Sequence, residues 1–124
     1  MDPGSAGTLV NPELGLYCPA KPDTPELAAQ DAPVLLPVGS TEQHGPHLPT
    51  GVDDFPSAEA CRRSARIMVV QDRPVAVAPS LWCGPADHHV EFGSTFTLTL
   101  ATYHALLRDV CRAILMAGFP ASAR

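Results

Sequence analysis

The stretch Val34-Leu35-Leu36-Pro37-Val38, followed at once by GSTEQHGPHLPTGVDDFP over residues 39–56, joins a short apolar run to a loop crowded with carboxylates and imidazoles. A continuously apolar run that ends in Gly39 fits a strand buried on both faces, as parallel strands are. The polar loop runs from Ser40 to Asp53. Pro56 suits a first helical turn, and Ala58, Cys61, Ala65 and Met68 recur at helical spacing, so a helix is expected to about Val70, with Arg62, Arg63 and Arg66 on its other side. Gln71-Asp72-Arg73 turns the chain into a second apolar run, Val75–Ala78, closed by Pro79. Residues 80–101 read as a long irregular passage, the kind that is usually functional inside a compact domain. Thr102 is placed to cap a last helix with the stripe Leu106, Leu107, Val110, Ile114 and Leu115, and Gly118 stands where a left-handed C-cap belongs. Strand, loop, helix, strand, loop, helix is the order of an α/β fold with a parallel sheet, and a third strand is expected near Phe119.

Upstream, residues 1–32 are broken by prolines and glycines and form an irregular segment, with a helical turn at most around Glu26–Gln30 and a mobile first dozen residues. Residues 33–124 then make up the domain proper. The start of the chain has neither the basic opening nor the apolar middle of a secretory signal, so a cytoplasmic location is expected. The apolar runs are far shorter than the roughly 20 residues a membrane helix needs. Net charge is −5 and Lys21 is the only lysine, which argues against nucleic acid as a partner. Cys18, Cys61, Cys83 and Cys111 include no CxxC pair, so a zinc ribbon is excluded and free thiols are expected.

Glu42, His44, His47, Asp53 and Asp54 fall just beyond the first strand, where open α/β sheets collect ligands. Glu42 and His44 are one residue apart and leave an extended backbone on the same side. Gly45, Pro46, Pro49 and Gly51 let the loop double back and bring Asp53 to the same point. Two carboxylates and an imidazole suit zinc or manganese. Composition alone equally describes a polar surface loop. Asp54 also reads as a helix cap, and His47 as a supporting or solvated residue rather than a ligand. Asp87, His88, His89 and Glu91 offer a second group of donors, but neighbours in extended backbone point opposite ways. Trp82 is either a pocket wall or an ordinary packed aromatic.

The segment LLPVGSTEQHGPHLPTGVD closely resembles the first metal motif of the creatininase (creatinine amidohydrolase) family. The resemblance extends over about Pro33–Phe119, with His88-His89 and Phe92-Gly93-Ser94-Thr95 similar to the family's second active-site loop, in which a Pro-Gly pair is altered here. It implies an incomplete three-layer α/β/α fold and a site with two ions, zinc and/or manganese. Glu42 would serve one ion, His44 the other, and Asp53 would bridge them; His89 would line the substrate pocket.

The implied activity is metal-assisted hydrolysis of a small, often cyclic, amide at a non-peptide C–N bond. Family members continue into an Asn-Gly-His-containing motif with further ligands, and the last histidine here is His104. The expectation is therefore a truncated chain, weakly active or inactive, with each ion short of protein ligands and weakly held. The competing expectation is a non-catalytic binding or assembly module, since the family forms hexamers and an uncovered sheet edge invites a homo-oligomer.

Overall fold

The structure is a computed structural model describing residues 23–121. The expectations for residues 1–22, Cys18 included, lie outside the described residues. Helix α1 spans Asp23–Ala29, strand β1 Val34–Leu35, helix α2 Asp54–Val70, strand β2 Ala76–Val77, a 3-10 helix Asp87–Phe92, and helix α3 Leu100–Met116. β1 and β2 pair in parallel, Val34 with Ala76 and Leu35 with Val77, so the α/β reading holds. Both strands are shorter than their apolar runs. Pro37 and Pro79 lack the N–H that a ladder needs, and beyond Leu35 the two backbones pair again at an isolated parallel bridge between Val38 and Leu81. Val38 is consequently exposed rather than buried.

Alternation along the two strands separates two faces. Leu35, Val75 and Val77 pack with Cys61, Ala65, Met68 and Val69 of α2 on one side. Val34 and Ala76 face the other way, against Leu27 and Ala28 of α1, Ile114 of α3 and Phe119. Helices thus cover both faces of the sheet. The irregular segment expected up to residue 32 contains a real helix at its end, anchored by the buried Leu27. Pro25 in its first turn costs it nothing, because that N–H has no helical partner anyway.

All three helices stop in the same way, with a residue at positive φ whose N–H, and the next one, fold back onto the last carbonyls. Gly118 does this for α3, as the sequence predicts: Gly118 N–H donates to Leu115 O at 3.0 Å and Phe119 N–H to Ile114 O at 3.4 Å. For α1 and α2 the residue is Asp31 (φ 53) and Asp72 (φ 55). Ala32 then donates to Leu27 O at 3.0 Å and Arg73 to Met68 O at 2.9 Å. Each motif swings the chain from a helix toward the sheet.

Four other expectations are corrected. α3 starts at Leu100 with Thr99 as its cap, and Thr102 is the residue whose N–H the Thr99 hydroxyl receives, at 3.2 Å. Leu115 of the expected stripe is exposed. Phe119 is buried but begins no strand among the described residues; it closes the second core cluster instead. The passage 80–101 is not wholly irregular, since it carries the 3-10 helix. No helix among the described residues is long and apolar enough to cross a membrane.

Candidate metal centre

Past β1 the chain enters the Gly39–Asp53 loop, and four backbone bonds fix its path. Gly39 N–H donates to Leu81 O at 3.1 Å and Leu81 N–H to Pro37 O at 3.0 Å, extending the parallel contact as far as the loop's first residue. Glu42 N–H donates to Thr50 O at 3.0 Å, which folds the loop back on itself, and Phe96 N–H donates to Thr41 O at 3.0 Å. The Thr41 hydroxyl donates to Trp82 O at 2.9 Å. Residues 41–43 are therefore held between the returning limb of the loop and the segment after the 3-10 helix.

This framework brings Glu42, His44 and Asp53 together, with one donor atom of each within 4.8 Å of the others. His44 Nε2 lies 3.7 Å from Glu42 Oε1 and 3.6 Å from Asp53 Oδ2. His44 Nδ1 lies 3.0 Å from the Glu42 carbonyl, which can only accept, so Nδ1 donates there and leaves Nε2 facing the two carboxylates. Glu42 is 9% exposed, and its carboxylate faces His44 Nε2 at 3.7 Å and His89 Nδ1 at 3.5 Å. A buried carboxylate in that condition is costly unless a cation balances it. Donors about 2.0–2.2 Å from one tetrahedral ion stand roughly 3.3–3.6 Å apart. The observed separations lie at the upper limit of that range and just above it, and beyond hydrogen-bond length. These residues fit a divalent ion.

Asp53 is the residue before α2 and makes no side-chain cap bond. Asp54, read from sequence as a cap, is instead the first residue of α2, and its carboxylate accepts a hydrogen bond from the Ser80 hydroxyl. His47 is exposed and belongs to neither donor group among the described residues. Trp82 is half exposed and meets Phe96 edge-on, with ring centroids 5.5 Å apart.

His89 reaches the same place from the second loop: its Nδ1 is 3.5 Å from Glu42 Oε2, and its ring lies 6.1 Å from that of His44. Thr95 sets this approach, since its hydroxyl accepts from Gln43 N–H at 3.0 Å and lies 3.2 Å from the His89 carbonyl. His88 joins Glu42 and His89 in a second donor group. The sequence argument against this group assumed extended backbone. In the 3-10 helix the His88 and His89 rings sit 4.1 Å apart, and both address Glu42.

The family described as creatinine amidohydrolase (Creatininase) matches residues 20–122. Among curated proteins, the chain is 39% identical over 80 residues to the mycofactocin precursor peptide peptidase of Mycolicibacterium smegmatis, covering 64% of this chain and 32% of that protein. It is 29% identical over 92 residues to the protein of the same description from Mycobacterium tuberculosis, covering 70% of this chain and 37% of that one. Among solved structures, a creatinine amidohydrolase (creatininase) superposes with a TM-score of 0.69 at 29% identity, over 79% of this chain and 38% of the other. The chain thus spans about a third of the length of the curated relatives it matches.

Proposed function

The chain belongs to the creatininase family, and we propose that it carries the cation-holding loop of a metal-dependent hydrolase that cleaves a C–N amide bond, with Glu42, His44 and Asp53 as the ligands. The observation carrying this reading is the convergence of a buried carboxylate, an imidazole with a free Nε2 and a second carboxylate on one point beyond the carboxyl end of β1. Zinc or manganese is the cation proposed, from the mixed oxygen and nitrogen donors. When bound, such an ion supplies Lewis acidity that polarises an amide carbonyl and makes water a stronger nucleophile near neutral pH.

The chain's own residues divide the remaining work. Glu42, tied through its N–H to Thr50, supplies buried negative charge. His44, its tautomer set by the Glu42 carbonyl, supplies a directed lone pair. Asp53 has the more exposed side chain of the two carboxylates, 42% against 11%, and stands on the solvent side from which a substrate arrives. The substrate proposed is a small amide, cyclic amides included. A peptide is the second reading, favoured by the identity to the M. smegmatis peptidase and by Phe92, which is 67% exposed with its ring 6.3 Å from that of His89. The proposal includes self-association through an edge of the two-stranded sheet.

Calorimetric titration of the chain with zinc and with manganese tests the ligand assignment. Asp53→Asn and His44→Ala are each expected to weaken binding at least about tenfold, or 1.4 kcal/mol. Unchanged affinity in both variants would contradict the proposal. Zinc-loaded protein offered a cyclic amide and a short peptide in parallel decides the substrate class, with low turnover expected from this chain.

A further inference from the structure

Asp54 stands next to the proposed ligand Asp53 and belongs to neither donor group among the described residues. Its carboxylate instead accepts the hydroxyl hydrogen of Ser80, 26 residues further along and just past β2. Ser80 is a fixed anchor. Pro79 precedes it, and Leu81 after it is tied twice to the chain beyond β1: its N–H donates to Pro37 O at 3.0 Å, and its carbonyl receives Gly39 N–H at 3.1 Å. A hydroxyl on a carboxylate makes one of the stronger hydrogen bonds, because one partner is charged.

The first turn of α2 has a second tether. Ser57 Oγ accepts Val38 N–H at 3.1 Å. Positions 54 and 57 are neighbours on one helix face, so that face reaches the chain beyond both strands. The Ser57 bond and the close approach of Gly39 to the Asp53 and Asp54 backbone hold the helix start on the β1 side. The Asp54–Ser80 bond stops it from rolling about that contact. Asp53 has no side-chain cap bond of its own, and its carboxylate meets His44 Nε2 at 3.6 Å. The orientation of the helix start therefore sets that meeting.

From this arrangement we propose that Asp54 is a positioning residue: anchored on Ser80, it fixes the rotation of the first turn of α2 and so aims the Asp53 carboxylate at His44 Nε2. The proposal rests on the reading of Asp53 as a metal ligand. The alternative is a purely structural role, since an acidic residue in the first turn favours a helix through its dipole wherever the side chain points. Losing that role lowers stability and leaves the zinc affinity of the folded chain alone. Losing the positioning role lowers zinc affinity, and only while Asp53 is there to be aimed.

The test is a double-mutant cycle on the whole 124-residue chain, with zinc affinity read by calorimetry. Asp54→Ala and Ser80→Ala are each expected to weaken zinc binding about tenfold, as removing the support of a ligand does. Asp54→Asn keeps an acceptor oxygen for the Ser80 hydroxyl and is expected to lose less than Asp54→Ala. In the Asp53→Asn background, Asp54→Ala is expected to change nothing further.

Full affinity in both Asp54→Ala and Ser80→Ala, with affinity lost in Asp53→Asn, overturns the positioning role while the ligand assignment stands. An equal loss from Asp54→Ala with and without Asp53 also overturns it, because Asp54 then acts on the site by another route. Asp54→Asn as weak as Asp54→Ala overturns it in favour of charge alone. Asp53→Asn as tight as the unmodified chain, or an unmodified chain that binds no zinc, overturns the ligand assignment and the positioning role together. Urea unfolding of the zinc-free variants shows which of them fold. Ser80→Ala removes one hydroxyl and carries the cycle if Asp54→Ala does not fold: Asp53→Asn/Ser80→Ala should then bind zinc as Asp53→Asn does, and weaker binding overturns the proposal.

Discussion

Gly39 lies directly against the backbone of Asp53: a Cβ on Gly39 would fall 2.6 Å from the Asp53 carbonyl carbon and oxygen and 2.7 Å from Asp54 Cα. No rotamer relieves that contact, because every atom it meets is main chain. The first residue of the loop and the start of α2 are therefore in van der Waals contact only because residue 39 has no side chain. That contact sets where Asp53 stands relative to Glu42. Gly39→Ala should cost about 1–3 kcal/mol in urea unfolding, as overpacking does, and it should weaken zinc binding along with stability. A variant as stable as the unmodified chain with full zinc affinity would show that the loop closes in some other way.

Thr95 joins the two loops of the site, so Thr95→Val isolates that role with little change in shape. Gln43 N–H then loses its acceptor in a part-buried position, which costs about 1–3 kcal/mol. The expected signature is a His89 that becomes more reactive to diethylpyrocarbonate while His44 keeps its reactivity.

Leu27 tests whether α1 belongs to the folded unit. It is buried in the cluster with Ala32, Ala76 and Phe119, and Leu27→Ala should lower unfolding stability by about 2–5 kcal/mol. A change near zero would mean that α1 does not dock.

Burial raises the Cys61 thiol above its ordinary value of 9.0. Its folded pKa then exceeds its unfolded one, so this contribution to stability is present in full below the unfolded value and is lost as pH rises through the folded one. The thiolate is also the reactive form. At about pH 8, iodoacetamide should label the exposed Cys111 faster than Cys61, and urea should bring the two rates together.

Much of the architecture was legible in the residues. The apolar runs at Val34 and Val75 and the helical spacing from Ala58 to Met68 led to a parallel β-α-β unit, and Gly118 marked a helix end. What escaped was set by contacts distant in sequence or by uncommon local choices. α1 lies among prolines, and its anchor Leu27 acquires meaning from Ala76 and Phe119, far along the chain. Asp31 and Asp72 do at helix ends what glycine more often does, because short polar side chains tolerate positive φ. Strand lengths were overstated because Pro37 interrupts the ladder inside the first apolar run and Pro79 stands directly after the second.

At the site, Glu42, His44 and Asp53 were readable as one group from the glycines and prolines between them. The joint approach of His88 and His89 to Glu42 was not. A six-residue 3-10 helix leaves no periodic signature, and an extended backbone, the simplest assumption, sends neighbouring side chains apart.

The central claim is that Glu42, His44 and Asp53 surround a cation. Crystals of the chain grown with zinc and measured at the zinc absorption edge test it most directly. The account predicts an anomalous peak bounded by Glu42 Oε1, His44 Nε2 and Asp53 Oδ2, each about 2.0–2.2 Å away. Density showing the three side chains turned apart, with the zinc elsewhere, would contradict it.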